Sequence, residues 1–160
     1  MGNLGAMGDG ELRGAGGMGA EMGLFKERKW EHDLAERSRA RFLVRGLLGC
    51  TCPEEIFDHY QVRQQVIGSL PAVELMMGDR LLVWIIDGDK IAEPEQTLGR
   101  LLHAGRTERD GRGLNRFRLV VVGDFLSWEK QWAHLAEEMD PKVHLHVLPD
   151  MEDQCHVKQK

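Results

Sequence analysis

Two nearly unbroken apolar runs set the frame of the chain. Arg80–Ile86 reads Arg-Leu-Leu-Val-Trp-Ile-Ile, and 117–122 reads Phe-Arg-Leu-Val-Val-Val. Short apolar runs bounded by Gly-Asp turns are the signature of strands buried on both faces. Val143–Leu148 alternates instead, with Val143, Leu145 and Val147 against His144 and His146, which predicts an edge strand. Tyr60–Ile67 alternates in part through Val62 and Val66 and predicts a further strand, paired antiparallel beside the others. Ala72–Met77 fits either a strand or a short helix.

Helical spacing fills the gaps between these strands. Leu24–Leu48 has no proline and sets Phe25, Leu34, Phe42, Val44 and Leu47 among charges, which predicts a helix ending near Gly49. Pro53 at a first helical position predicts a short helix to His59, with Cys52 at its N-cap. Pro94–Ala104 places Leu98, Leu101 and Leu102 on one side, with Gly105 as its cap and 106–115 as a polar loop. Ser127 is a credible N-cap for a helix to Met139 carrying Trp128, Trp132 and Leu135.

Strand–helix–strand–helix–strand argues for parallel pairing through crossover helices. The expected fold is a small three-layer α/β domain over residues 24–150. It has a mostly parallel sheet of about four strands and an N-terminal helix, loosely thioredoxin-like or half-Rossmann-like. Residues 1–23 are rich in glycine and methionine without periodicity and read as a disordered extension. Residues 151–160 read as a polar tail.

Composition narrows the functional classes. A net charge of −5 gives no overall basic footprint for nucleic acid. No apolar run approaches the length that spans a bilayer, so no membrane association is expected. Three cysteines do not make a secreted disulfide framework, and a reducing cytoplasm is the expected compartment. No P-loop, dinucleotide fingerprint, Gly-x-Ser-x-Gly or His-Glu-x-x-His signature occurs, so no enzyme class is indicated.

The chemistry concentrates at Gly49-Cys50-Thr51-Cys52-Pro53-Glu54-Glu55. Two sulfurs at Cys-x-Cys spacing can serve thiol chemistry or hold one soft metal ion, zinc or iron. Cys52 is expected to be the more reactive thiol, although Glu54 and Glu55 disfavour a thiolate. Leu48–Phe57, with Leu81–Ile86 and the 114–119 stretch Leu-Asn-Arg-Phe-Arg-Leu, resembles short prokaryotic proteins of unassigned function that carry a Cys-x-Cys-Pro-Glu-Glu motif. That resemblance implies a family and transfers no activity, so every role rests on the residues themselves.

Three other groups are candidates. Asp87, Asp89, Asp124 and Asp150 each follow a predicted strand, where carboxylates could hold Mg²⁺ or simply shape turns. Arg106, Arg109, Arg112 and Arg116, with Arg118, form a basic segment suited to an anion or an acidic partner. His144 and His146, with Cys155 and His156, could join Cys50 and Cys52 to complete a soft metal site, but nothing in the spacing brings them together, and exposed strand histidines are the plainer expectation. The leading expectation is a thiol-redox or metal-binding accessory acting through Cys50 and Cys52, with another protein as its partner. The alternative is a non-catalytic interaction module docking through its N-terminal helix or its arginines.

Overall fold

The computed structural model describes residues 29–149. The 1–23 extension, the start of the N-terminal helix, Asp150, Cys155 and His156 lie outside the described residues. Helical turns over 29–34 lead, after a break at 35 and 36, into α1 (Arg37–Arg41), which continues as a π-helix over Phe42–Leu47. Gly49 follows in the left-handed region at φ +70°, as its C′ position requires. A five-residue 3₁₀ turn, Glu54–Asp58, then delivers the chain to the sheet.

The sheet has five strands in sequential order: β1 (Tyr60–Ile67), β2 (Leu70–Met77), β3 (Leu81–Asp87), β4 (Arg116–Val122) and β5 (Val143–Leu148). β1, β2 and β3 form an antiparallel meander. β3, β4 and β5 are parallel, joined by α2 (Pro94–Gly111) and α3 (Glu129–Met139). The sheet is therefore mixed and five-stranded, which corrects the mostly parallel sheet of about four strands. The difference comes from Ala72–Met77, which is strand from Leu70 onward. Pro71 lies outside the β2–β3 pairing, which begins at Ala72, so β3 asks no hydrogen-bond donor of it.

Strand alternation sorts the core onto two faces. Val73, Leu75, Leu81, Val83, Ile85 and Val120 pack beneath Trp30, Leu34, Leu43 and Val44 of the N-terminal segment. Leu82, Trp84, Ile86, Phe117, Leu119 and Val121 pack beneath Leu98, Leu102, Trp132 and Ala136 of α2 and α3. β3 is buried along its whole length, as its unbroken apolar run predicts.

Helix α2 runs seven residues beyond the expected stop, and Gly105 is not its cap. Gly105 lies where α2 crosses β4, and a Cβ there would stand 2.1 Å from Phe117 Cζ. The residue is small because the helix and an aromatic ring meet at that point. Gly105→Ala is therefore expected to destabilise by about 1–3 kcal/mol through overpacking, outweighing the roughly 1 kcal/mol gained in helix propensity. Chemical denaturation of the two proteins measures the difference. The expected 106–115 loop is thus mostly helix. Helix α3 likewise starts at Glu129 rather than at a Ser127 cap, after a 3₁₀ turn over Leu126–Trp128. Among the described residues no helix is long and apolar enough to cross a membrane.

Candidate functional site

Cys50 and Cys52 are joined by a disulfide. The turn that holds them is fixed from both sides. The Cys50 amide donates to the Val44 carbonyl at 3.0 Å, one residue wider than the π-type bond from the Leu48 amide to the Leu43 carbonyl. Arg45 Nη2 donates to the Cys52 carbonyl at 2.6 Å. Cys50 is 6% exposed, whereas Cys52 is only half-buried. An incoming thiol therefore meets Cys52 first.

The bond has little value as a staple. It links residues two apart in sequence, and closing so short a loop constrains the unfolded chain by roughly 1.5 kcal/mol, against about 4.7 kcal/mol for a 100-residue loop. A chain of this size also buries a full core without it.

The helix expected at Pro53–His59 is a 3₁₀ turn in which Pro53 takes the N-cap position. Cys52 precedes that cap, so no helix end acts on its sulfur. The neighbouring Glu54 is also less hostile to a thiolate than its position suggests. Arg37, Arg41 and Arg45 converge on its carboxylate at 3.0–3.2 Å, and Arg37 followed by Arg41 holds it below the usual carboxylate range.

The disulfide lies at the rim of a cleft of about 250 Å³. Gly49–Pro53 line it together with Arg80, Arg116, Arg118 and His144. These side chains gather because the parallel register places the starts of β3, β4 and β5 together, with Leu81 beside Arg116 and Arg118 beside His144. Arg116 and Arg118 share one face of β4, and His144 and His146 share the matching face of β5. The N-terminal helical layer does not cover that corner of the sheet with apolar residues, so it carries charge instead.

Two Arg–His pairs organise the cluster. Arg118 Nη1 lies 2.8 Å from His146 Nε2 and donates to the Leu48 carbonyl at 3.0 Å. Arg116 Nη1 lies 3.3 Å from His144 Nε2. Arginine has no acceptor, so each Nε2 accepts and each imidazole is neutral with its proton on Nδ1. Burial, then Arg118, pushes His146 down to about 3. Burial, then Arg118 and Arg116, lowers His144, with Glu137 and Asp140 opposing. The two histidines are half-buried partners of arginines rather than the exposed strand residues expected.

The other candidates divide sharply. Arg106 and Arg109 lie on α2 and meet Asp140 at 3.5 and 2.8 Å. Arg112, just past α2, meets Glu74 at 3.1 Å and Glu108 at 2.8 Å. These three are consumed by structural ion pairs and present no anion site; only Arg116 of the four joins the cleft. Of the strand-end aspartates, Asp87, Asp89 and Asp124 lie at the opposite, carboxyl end of the sheet. Asp87 accepts from the Asp89 amide at 3.0 Å and caps a short 3₁₀ turn, and Asp89 and Asp124 are exposed. Among the described residues no three His, Cys, Asp or Glu side chains converge as a metal site. Around the sulfurs, the arginines further disfavour a cation, so the described residues do not fit zinc or iron.

Sequence reasoning did not connect Arg80 and Arg118 to the cysteines, and it considered His144 with them only as a metal ligand that no spacing brought there. The signal was the i, i+2 spacing of both Arg116-x-Arg118 and His144-x-His146, which puts each pair on one face of its strand. No protein-family model matches the chain, and no curated protein is significantly similar to it.

Proposed function

We propose that the protein is a thiol–disulfide exchange protein working through Cys50 and Cys52. The reading rests on the cysteine chemistry and not on a thioredoxin-like chain path. The observation that carries it is a disulfide of small stapling value among the residues that line a cleft with several arginines. In the exchange, a substrate thiolate attacks Cys52 Sγ, the Cys50–Cys52 bond breaks, and Cys50 Sγ leaves with the bonding electrons. A second thiolate then attacks the substrate sulfur of the mixed disulfide and releases Cys52. Two substrate thiols become one disulfide, and two electrons and two protons pass to the cysteine pair. The reverse sequence reduces a substrate disulfide. Cations near both sulfurs favour the thiolates that attack and leave.

Trapping tests the order of attack. In a Cys155→Ala background, the Cys50→Ser variant is expected to form a mixed disulfide with bis(2-hydroxyethyl) disulfide at least ten-fold faster than the Cys52→Ser variant. Intact mass gives the rates. Equal rates, or no adduct in either variant while both remain folded, would overturn the assignment.

A further inference from the structure

The arginines of this protein are mostly spent on carboxylates. Arg37 and Arg41 meet Glu54, Arg63 meets Glu74, and Arg109 meets Asp140. The cleft beside the disulfide differs in gathering several arginines without such partners among the described residues. Among the described residues no carboxylate pairs with Arg80, Arg116 or Arg118. Arg118 is only 8% exposed, and its Nε is buried without a hydrogen-bond partner. A guanidinium keeps its proton under all ordinary conditions. A buried positive charge needs a compensating negative one, and the described residues offer none here. The groups it does offer, His144, His146 and the Leu48 carbonyl, are neutral acceptors.

We infer that this cleft is an oxyanion site, and that the thiol or disulfide exchanged at Cys52 is a small molecule carrying a carboxylate, sulfonate or phosphate group. The inference rests on the exchange reading above and supplies its substrate class. Arg80, Arg116 and Arg118 line the cleft together with Cys50 and Cys52, and Arg118 Nη1 is held by the Leu48 carbonyl and His146. A planar guanidinium fork suits a multi-oxygen anion. The volume of about 250 Å³ is below that of ordinary drug-sized pockets, so it fits a small metabolite and not a protein surface. A negative group held against β4 leaves the ligand's sulfur facing the turn that bears Cys52. Low dielectric and like-signed walls also concentrate anions at the opening.

Three thiols of equal chain length separate charge from other effects: 2-mercaptoethanesulfonate, 2-mercaptoethanol and 2-mercaptoethylamine. Each rate of opening of the wild-type disulfide is divided by that thiol's rate with bis(2-hydroxyethyl) disulfide, which removes intrinsic reactivity. The sulfonate is expected to lead the neutral thiol by at least ten-fold and the amine to trail it. Arg116→Gln, a half-buried site that leaves the core intact, is expected to cut that preference at least three-fold, and Arg118→Met to abolish it. Thermal unfolding in sodium sulfate against sodium chloride at equal ionic strength reads the anion site without any thiol chemistry. Sulfate stabilises folded proteins generally by exclusion from their surface, so the anion site is read as a larger rise in the wild-type midpoint than in that of either variant. That excess without disulfide opening by any thiol would retain the anion site and overturn both the exchange reading and the substrate class. Disulfide opening with no charge order and no such excess would keep exchange and overturn the oxyanion site.

Discussion

Glu74→Ala is expected to cost about 3 kcal/mol of stability. Glu74 lies in the middle of β2 and is 2% exposed, a carboxylate on a face otherwise given to apolar packing. Trp84 Nε1 donates to its Oε1 at 3.0 Å, and Arg63 Nε and Arg112 Nη1 donate to Oε2 at 3.0 and 3.1 Å. Burial alone would raise its pKa, but bonds from Trp84, Arg112 and Arg63 hold it below the usual carboxylate value. Removing the carboxylate strands the Trp84 donor, 4% exposed, at about 1–3 kcal/mol. The two arginines recover water in part, since Arg112 is 24% and Arg63 49% exposed. That recovery keeps the total at the low end of what breaking a buried pair costs. Glu74→Gln preserves the acceptor for Trp84 and is expected to cost no more than about half as much. Urea unfolding of the three proteins decides this. Equal losses would mean that charge rather than satisfied hydrogen bonding holds the site.

The second large effect is a loss of stability on mild acidification. His146 is held neutral, with its pKa pushed down to about 3 by burial and then by Arg118 and His144. In the unfolded chain a histidine titrates near pH 6.5. Between those values the unfolded state binds more protons, so the contribution is full above about pH 6.5 and is lost as pH falls toward 3. Between pH 6.5 and 5 the loss is expected to reach about 2 kcal/mol. His144, also lowered, adds in the same direction. The Glu74 carboxylate, lowered as well, contributes stability that is lost only at more acid pH, so this window isolates the histidines. His146→Gln keeps an acceptor for Arg118 and is expected to flatten the profile. A variant profile as steep as the wild type would remove His146 from the account.

The strands were legible where the pattern was pure. The apolar runs of β3 and β4 and the alternation of β5 come directly from residues buried on two faces or on one. The places that misled are those where a residue serves a tertiary contact. Gly105 looks like helix punctuation and is instead the point where α2 meets Phe117. Pro71 and Glu74 obscure β2, because a proline and a carboxylate break its apolar pattern. The arginine segment reads as a loop because its charges are frequent, yet those charges pair with Glu74, Glu108 and Asp140 across the fold. For the site, local sequence identified Cys50 and Cys52. It could not reveal Arg80, Arg116, Arg118 and His144 beside them, because that juxtaposition depends on which strands pair and in what register.

The central claim is that the Cys50–Cys52 bond is a working redox couple, and a redox titration tests it most directly. The intact chain is equilibrated anaerobically in dithiothreitol buffers of graded potential, alkylated, and read by peptide mass. The account predicts that Cys50 and Cys52 change together in one two-electron step, at a potential above about −300 mV, in the range of labile rather than structural disulfides. A pair that remains oxidised well below that potential would contradict it. So would two thiols that alkylate independently at every potential.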